Sequence, residues 1–263
     1  MNDREIMFGL HETPGIGWET IHAVCRVVFP LSKLLDLSEQ QIQELPLPED
    51  KKSLIYQGSR ASFIEQRLDI YERGGYSFLT RGDVNYPEWL NQVPKPPWVI
   101  YYCGNIDRLT QPMLGVVGTR VPTTYGKRIA RQFSAELSQL GWCIVSGLAR
   151  GIDSEAHIGA LTGPGSTIAV LGTPIDRIYP RDNTALYHQI RDNGLILSEY
   201  AIGTEMRKGM FPLRNRIIAG LSMGVFVVEA DIGSGSLITA EQAVNYDREV
   251  FALPGPISSP KSR

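Results

Sequence analysis

Three short apolar segments in the middle of the chain run into glycine and into hydroxyl or basic residues. They are Met113–Arg120, Cys143–Asp153 and Thr167–Leu171, and amphipathic stretches follow the first two. An apolar run, a glycine-rich turn and a helix in repetition are typical of a doubly wound parallel sheet. Ligands of such sheets bind outside the carboxyl ends of the strands. Arg120 and Arg150 stand at those ends, so the pattern predicts a site for an anion.

The alternation continues to residue 252 and predicts an α/β fold. The predicted strands are 113–118, 143–146, 167–171, 195–198, 225–229 and 250–252. The predicted helices lie near 125–140, 152–161, 183–192, 214–220 and 236–246. Further upstream, Tyr76–Thr80 and Trp98–Tyr102 are rich in aromatic and β-branched residues. We expect these two strands to extend the main sheet.

Residues 1–75 predict short helices. Ile21, Val24, Cys25 and Val28 fall on one face of a first helix, and Ser38 opens a capping box for another that buries Ile42 and Leu45. The turn at residues 13–17 precedes that first predicted helix, and it either grips a phosphate backbone or simply joins helices. The predicted division is a helical domain over 1–75, a sheet domain over 76–256, and a disordered or shortened tail over 257–263.

Composition excludes several classes of protein. The chain has 263 residues, of which 43% are hydrophobic and 21% charged, as in ordinary globular proteins. We expect no membrane span, because no apolar run approaches about 18 residues. The start lacks a secretory pattern, and three isolated cysteines suit a reducing compartment, so we expect a cytoplasmic protein. Four scattered histidines predict no metal site, and we expect no cofactor.

Charge is divided unevenly along the chain. Residues 1–110 hold 11 Lys and Arg against 15 Asp and Glu, whereas residues 111–263 hold 15 against 13. Seven basic and four acidic residues fall within 177–216. Because charge runs more often form a solvated face than a binding surface, this asymmetry supports a polyanion partner only weakly.

The two glycine turns differ in what they offer. Gly118, Thr119 and Arg120 provide close backbone approach, a hydroxyl and a bidentate phosphate ligand, although the arginine could instead pin the turn. A nicotinamide dinucleotide is disfavoured, because the full glycine fingerprint and an acidic residue after the second strand are missing. Asp153 could cap the next helix or orient Arg150.

Catalysis is not expected at the second turn. Asp153 and His157 could form an acid–base pair, but a buried capping network is the favoured interpretation, since no nucleophile motif accompanies them.

Two segments mix aromatic rings with cations. In residues 179–183 Tyr179 offers a stacking face, Arg181 a charge and Asn183 an amide for a base edge or a helix cap. Residues 211–216 repeat the mixture with Phe211, Arg214 and Arg216. Such interleaving is typical of proteins that bind single-stranded nucleic acid. Residues 233–239 open the last long helix with small residues and could bind an anion or form an ordinary capped turn.

Taken together, these blocks resemble the DNA-processing protein A family (DprA, also called Smf) from about residue 6 to residue 256. The resemblance rests on seven blocks in order: Val117–Arg120, Ser146–Asp153, Tyr179–Asn183, Leu197–Glu199, Phe211–Gly220, Gly235–Ala240 and Val250–Gly255. It implies an extended Rossmann-like domain behind a small all-α, SAM-like domain. It also implies a recombination mediator of natural transformation that binds and protects single-stranded DNA and helps to load RecA recombinase, including on strands coated by single-strand binding protein.

The resemblance also assigns residues. The family's Gly-Ser/Thr-Arg motif falls on Gly118, Thr119 and Arg120, and its basic position after Tyr-Pro falls on Arg181. The predicted DNA contacts are Gly118, Thr119, Arg120, Arg150, Tyr179, Arg181, Asn183, Phe211, Arg214 and Arg216. The family's pattern usually continues past Gly255 into a segment that contributes to the homodimer and RecA surfaces, so a homodimer is expected only if that segment is present. We likewise expect no C-terminal winged helix of the kind that some members have.

Two other functions remain open. One is a Rossmann-type nucleotide phosphoribohydrolase, because residues 233–241 faintly resemble the Pro-Gly-Gly-x-Gly-Thr block that precedes a catalytic glutamate in such enzymes. Ser234 interrupts the glycine pair, and the preceding proline is missing. The other is a module that senses a nucleotide without turning it over.

Overall fold

A computed structural model describes residues 1–231 and 233–255. The predicted tail at 257–263 lies outside the described residues. None of the helices within the described ranges is long and apolar enough to cross a membrane.

Residues 1–75 are helical, as predicted. The helices are α1 (Asp3–Glu12), α2 (Trp18–Val27), α3 (Glu39–Gln43), α4 (Lys52–Gly58) and α5 (Ala61–Gly74). α1 begins at a capping box in which Asn2 accepts from the Glu5 amide at 3.0 Å, and the predicted box at Ser38 is formed.

The turn at residues 13–17 follows α1, which corrects its predicted place before the first helix. Thr13 Oγ1 donates to the Gly9 carbonyl at 2.8 Å, and a Cβ on Gly58 would lie 2.2 Å from Thr13 Oγ1. The turn therefore packs against α4 and joins two helices.

The rest of the chain forms an α/β fold. The strands are β1 (Ser77–Thr80), β2 (Val99–Gly104), β3 (Met113–Val117), β4 (Cys143–Ser146), β5 (Thr167–Leu171), β6 (Leu195–Ser198), β7 (Gly224–Val227) and β8 (Glu249–Ala252). The helices are α6 (Glu88–Asn91), α7 (Thr124–Gln139), α8 (Ile152–Ala160), α9 (Thr184–Asn193), α10 (Met210–Leu221) and α11 (Gly235–Asn245). The predicted bounds of β4, β5 and β6 agree residue for residue. α10 begins four residues earlier than predicted, because Pro212 lies in its first turn, where a helix tolerates proline.

All eight strands belong to one sheet in the order β1-β2-β6-β5-β4-β3-β7-β8. β3 to β8 run parallel. β1 and β2 extend this sheet, as predicted; β2 pairs antiparallel with β6, and β1 pairs antiparallel with β2. β3, β4, β5 and β6 are buried throughout, which is why they read as continuous apolar runs. The direction in which the chain adds strands reverses at β3. β4, β5 and β6 are added on one side of β3, and β7 and β8 are added on the other side.

Helices cover both faces of the sheet. Apolar side chains of α7 and α8 pack with β3 and β4 on one face, and those of α10 and α11 pack with β3 and β7 on the other. One apolar cluster runs from α1 and α2 through Tyr101 of β2 to Tyr187 of α9, so the helical region shares a core with the sheet. The division into two domains near residue 75 stays a prediction.

Candidate nucleic-acid interface

A cleft of about 390 Å³ opens at the carboxyl edge of the sheet, where the strand order reverses. This is the place where open α/β sheets bind ligands. The turns after β3 and β7 and the first turns of α10 and α11 surround it. Its lining comprises residues 117–121, Ala149, Asp153, Phe211, Pro212, Arg214, Asn215, Ile218, Asp231, residues 234–236 and Thr239.

The turn after β3 is fixed from both sides. The Thr119 amide donates to the Glu229 carbonyl at 2.7 Å, and the Thr119 carbonyl accepts from the Ile152 amide at 3.2 Å. A Cβ on Gly118 would lie 2.6 Å from Ile152 Cγ1 and 2.9 Å from the Glu229 carbonyl. Gly118 is therefore required by the packing of the chain itself, whereas the sequence suggested that it admits a ligand. Thr119 is buried, and Arg120 is the residue of this motif that reaches solvent.

Arg120 is available to an anion. Its side chain is exposed, lines the cleft, and has no ion-pair partner among the residues that the structure describes. Since the backbone on both sides of it is hydrogen-bonded, the residue is presented at a defined place. An exposed guanidinium beside a cleft can bind a phosphate through two parallel hydrogen bonds.

Arg214 is buried under the floor of the same cleft. Its Nη1 donates to the Gly147 carbonyl at 2.7 Å and to the Val170 carbonyl, so it ties the ends of β4 and β5 to α10. Burial lowers the pKa of Arg214, and the nearby carboxylate of Asp153 opposes that shift. A Cβ on Gly147 would lie 2.5 Å from the guanidinium, so the glycine makes room for it. The arginine contributes positive charge to the cleft while it holds the fold.

Asp153 and His157 form a buried network, as the favoured interpretation predicted. Asp153 accepts from the amides of Gly147 and Ala149 at 3.1 and 3.3 Å, and burial raises its pKa. His157 Nε2 accepts from the Leu148 amide at 3.2 Å, and burial lowers the pKa of His157 to about 3. The imidazole is therefore neutral and shapes the turn after β4.

Arg150 is not oriented by Asp153, which corrects that alternative. Its guanidinium pairs with Asp182 at 2.7 Å, and both side chains are about two-thirds exposed. An exposed ion pair of this kind is weak and exchanges partners readily. A phosphate at this edge could therefore take the place of Asp182 beside Arg150.

Tyr179 and Phe211 meet beside the arginines. Their ring centroids are 5.3 Å apart at 45°, and 47% of Tyr179 is exposed. The two rings line a smaller pocket of about 70 Å³ together with Arg120, Arg150 and Arg214. The sequence placed these rings in two separate segments, and the structure brings them together next to the cleft. Aromatic faces beside cations offer a base a surface to stack on while its phosphate is neutralised.

Three predicted contacts lie outside both pockets. Arg181 is exposed at the start of a short 3₁₀ helix. The side-chain Nδ2 of Asn183 donates to the Leu148 carbonyl at 2.8 Å and to Ser154 Oγ at 2.9 Å, so the residue ties its own turn to the turn after β4 and to α8. Arg216 pairs with Glu199 and donates to the Lys95 carbonyl at 3.0 Å. Asn183 and Arg216 are thus engaged within the protein.

Some residues of the cleft were not singled out from the sequence. Asn215 donates to the Gly235 carbonyl at 2.9 Å and holds the start of α11 against α10. Ser234 and Ser236 add hydroxyls 2.7 Å apart at that helix start, which the sequence had offered only as an open possibility. Asp231 adds a carboxylate that weakens the positive field. Asn215 lies between two arginines of the 211–216 block, which is the signal that could have identified it.

The position corresponding to the catalytic glutamate of a phosphoribohydrolase is Glu241. It is exposed on α11, outside the residues that line the cleft. Nor do the described residues hold a group of three His, Cys, Asp or Glu side chains that could bind a metal ion.

The fold and the cleft define a Rossmann-like α/β protein in which cations and a tilted pair of aromatic rings lie together at the carboxyl edge of the sheet. Residues 77–263 match the model of the family described as DNA recombination-mediator protein A. The chain belongs to this family.

Relatives agree with this assignment. Protein Smf of Synechocystis sp. is 50% identical over 193 residues, which cover 72% of this chain and 48% of that protein. DNA processing protein DprA of Bacillus subtilis is 42% identical over 194 residues, covering 73% of this chain and 65% of that protein. The chain thus spans about half to two-thirds of the length of these curated relatives.

Two solved structures are also similar. The X-ray structure of DprA from Streptococcus pneumoniae matches with a TM-score of 0.83 and 33% identity, covering 100% of this chain and 90% of that one. A structure of DprA from Helicobacter pylori, which concerns its single-stranded DNA binding mode, matches with a TM-score of 0.65 and 36% identity, covering 70% and 83%.

Proposed function

We propose that this protein binds single-stranded DNA at the carboxyl edge of its sheet. The observation that carries the proposal is the aromatic pair of Tyr179 and Phe211 beside Arg120 and Arg150. The rings take bases without preference for sequence, and the arginines neutralise phosphates. The similar structure from H. pylori, which concerns single-stranded DNA binding, supports the same ligand.

In this proposal the protein acts as a mediator without catalysis. The bound strand is shielded from nucleases and passed to RecA recombinase during natural transformation in the cytoplasm, including from strands coated by single-strand binding protein. A homodimer, which we expect only if the family's further C-terminal segment is present, would place two clefts on one strand. Membership of the recombination-mediator family and the DNA-processing relatives support this role.

The test measures fluorescence anisotropy of labelled oligo-dT and of a duplex over a salt series. We expect wild type to prefer the single strand and to lose affinity steeply with salt. Arg120→Ala should weaken binding about tenfold, or about 1.4 kcal/mol, and Arg181→Ala less, since it lies outside both pockets. Arg73→Ala is the matched control, because it removes an exposed arginine from α5. Wild-type preference for the duplex, or equal binding by Arg120→Ala and Arg73→Ala, would refute the proposal.

The rival enzyme predicts a different result. Release of a base from a nucleoside monophosphate by wild type, abolished in Glu241→Gln, would favour the phosphoribohydrolase. A nucleotide sensor would bind a mononucleotide as tightly as the oligonucleotide, so competition between the two ligands separates it from a strand-binding protein.

A further inference from the structure

The outer face of α7 carries a row of cations. The three cations are Lys127, Arg128 and Arg131, and with the neutral Thr124 they are spaced at i, i+3, i+4 and i+7, so the four residues share one side of the helix. All four are exposed. The helix begins only four residues after Arg120, and so this face is continuous in sequence with the cleft.

The first half of α7 carries these cations and no acidic residue of its own. A helix N-terminus carries a partial positive charge and favours acidic residues, as α1 shows with Asp3 and Glu5 in its first turn. α7 has no acidic residue in its first turn and no basic residue in its last, and its carboxylate Glu136 lies near its C-terminus. The carboxylate that serves this N-terminus is Glu229, which lies outside the helix and accepts from the Thr123 amide at 2.9 Å. The cations that follow on the exposed face are directed to solvent, where they can meet an external anion.

The carboxylates around this face leave two of the cations uncompensated. Arg131 Nε donates to Oε2 of Glu155 on α8 at 2.8 Å. Glu136 accepts from the Gln132 side chain at 2.8 Å. Within the described residues, Lys127 and Arg128 have no carboxylate at ion-pair distance.

A groove and an aromatic ring accompany these two cations. A groove of about 620 Å³ runs between α7 and α8 beside them. The guanidinium of Arg128 lies 5.9 Å from the ring centroid of Tyr125, which is 43% exposed. This repeats, outside the cleft, the combination of cation and aromatic face found within it.

We propose that the α7 track, defined as Tyr125, Lys127 and Arg128, binds the continuation of the DNA strand as it leaves the cleft past Arg120. The inference rests on the proposed function and extends it to a second segment of the same ligand. A short oligonucleotide fills the cleft alone, whereas a longer one also places phosphates on the track. Affinity therefore rises with strand length on a single protein molecule.

The experiment compares Lys127→Gln/Arg128→Gln with wild type on oligo-dT of about 6 and about 20 nucleotides, which bracket the site sizes of such proteins. We expect the long strand to bind about tenfold more weakly and the short strand to bind unchanged within twofold. The slope of log affinity against log salt for the long strand should fall by about 1.4, because each phosphate contact to a single strand contributes about 0.7.

The control is Arg73→Gln/Arg191→Gln, which removes two exposed cations from α5 and from the end of α9. It should bind both strands as wild type does. Equal losses on the short and long strands, or no loss on either, would overturn the inference, and so would a matching loss in the control. If wild type binds neither strand, the proposed function itself fails, and that result is distinct from a failure of the track.

Discussion

At the scale of single residues, arginines of similar sequence context have different tasks. Arg120 is exposed and without a carboxylate partner among the described residues, whereas Arg214 is buried against two carbonyl groups and Arg216 is paired with Glu199. What separates them is the number of protein acceptors each one meets. An arginine whose donors are satisfied inside the protein contributes to stability, and one whose donors face solvent is free for a ligand.

Arg214→Ala should therefore destabilise the protein. The substitution leaves the Gly147 and Val170 carbonyls without their donor and removes the positive charge that offsets buried Asp153, which costs about 3–5 kcal/mol. Arg120→Ala should change the free energy of unfolding by less than about 0.5 kcal/mol. Urea unfolding followed by circular dichroism measures both, and equal stabilities of the two variants would contradict this division of roles.

At the scale of elements, α7 and α8 are packed unusually closely on the same face of the sheet. A Cβ on Gly159 of α8 would lie 2.0 Å from the Arg131 carbonyl of α7. The glycine thus fixes the distance between the two helices. Glu229, two residues after β7, accepts a hydrogen bond of 2.9 Å from the Thr123 amide at the start of α7. The position of α7 beside the cleft is set by these contacts with two other elements.

Gly159→Ala should accordingly force the two helices apart. Because the obstacle is backbone, we expect a loss of about 1–3 kcal/mol in the free energy of unfolding. Gly82→Ala is a suitable control, since nothing lies within 4 Å of its added Cβ, and it should stay within about 0.5 kcal/mol of wild type. Thermal or urea unfolding of the two variants measures both losses. Equal losses would show that the close packing of α7 against α8 does not limit the size of residue 159.

At the scale of the whole molecule, a buried polar cluster joins the helical region to the sheet. Glu12 of α1 accepts from Tyr71 at 2.7 Å and from Tyr101 of β2, and Arg67 Nε donates to it at 2.6 Å. The Ile202 amide, beyond β6, donates to the Tyr71 hydroxyl at 2.8 Å. Burial raises the pKa of Glu12, while the two hydroxyls and Arg67 hold it down. The cluster and the shared apolar core couple residues 1–75 to the rest.

We expect the chain to unfold in one cooperative transition in spite of its two predicted domains. Tryptophan fluorescence and far-ultraviolet circular dichroism should report the same urea midpoint. Glu12→Ala removes the carboxylate that accepts from Arg67 Nε and from two tyrosine hydroxyls, and it should cost about 3–5 kcal/mol. Two separated transitions in wild type would show instead that the helical region is an independent domain.

The sequence alone determined most of the elements, the parallel sheet and the edge on which the cleft lies. These follow from local periodicity and from strand direction, which neighbouring residues specify. The structure decided which side chains at that edge face solvent. The burial of Arg214, the pairing of Arg216 and the meeting of Tyr179 with Phe211 depend on elements far apart in the chain. Gly118 shows the same limit, because the atoms that exclude its Cβ belong to residues 152 and 229. Such contacts exist only once the sheet has assembled, and so no local pattern could reveal them.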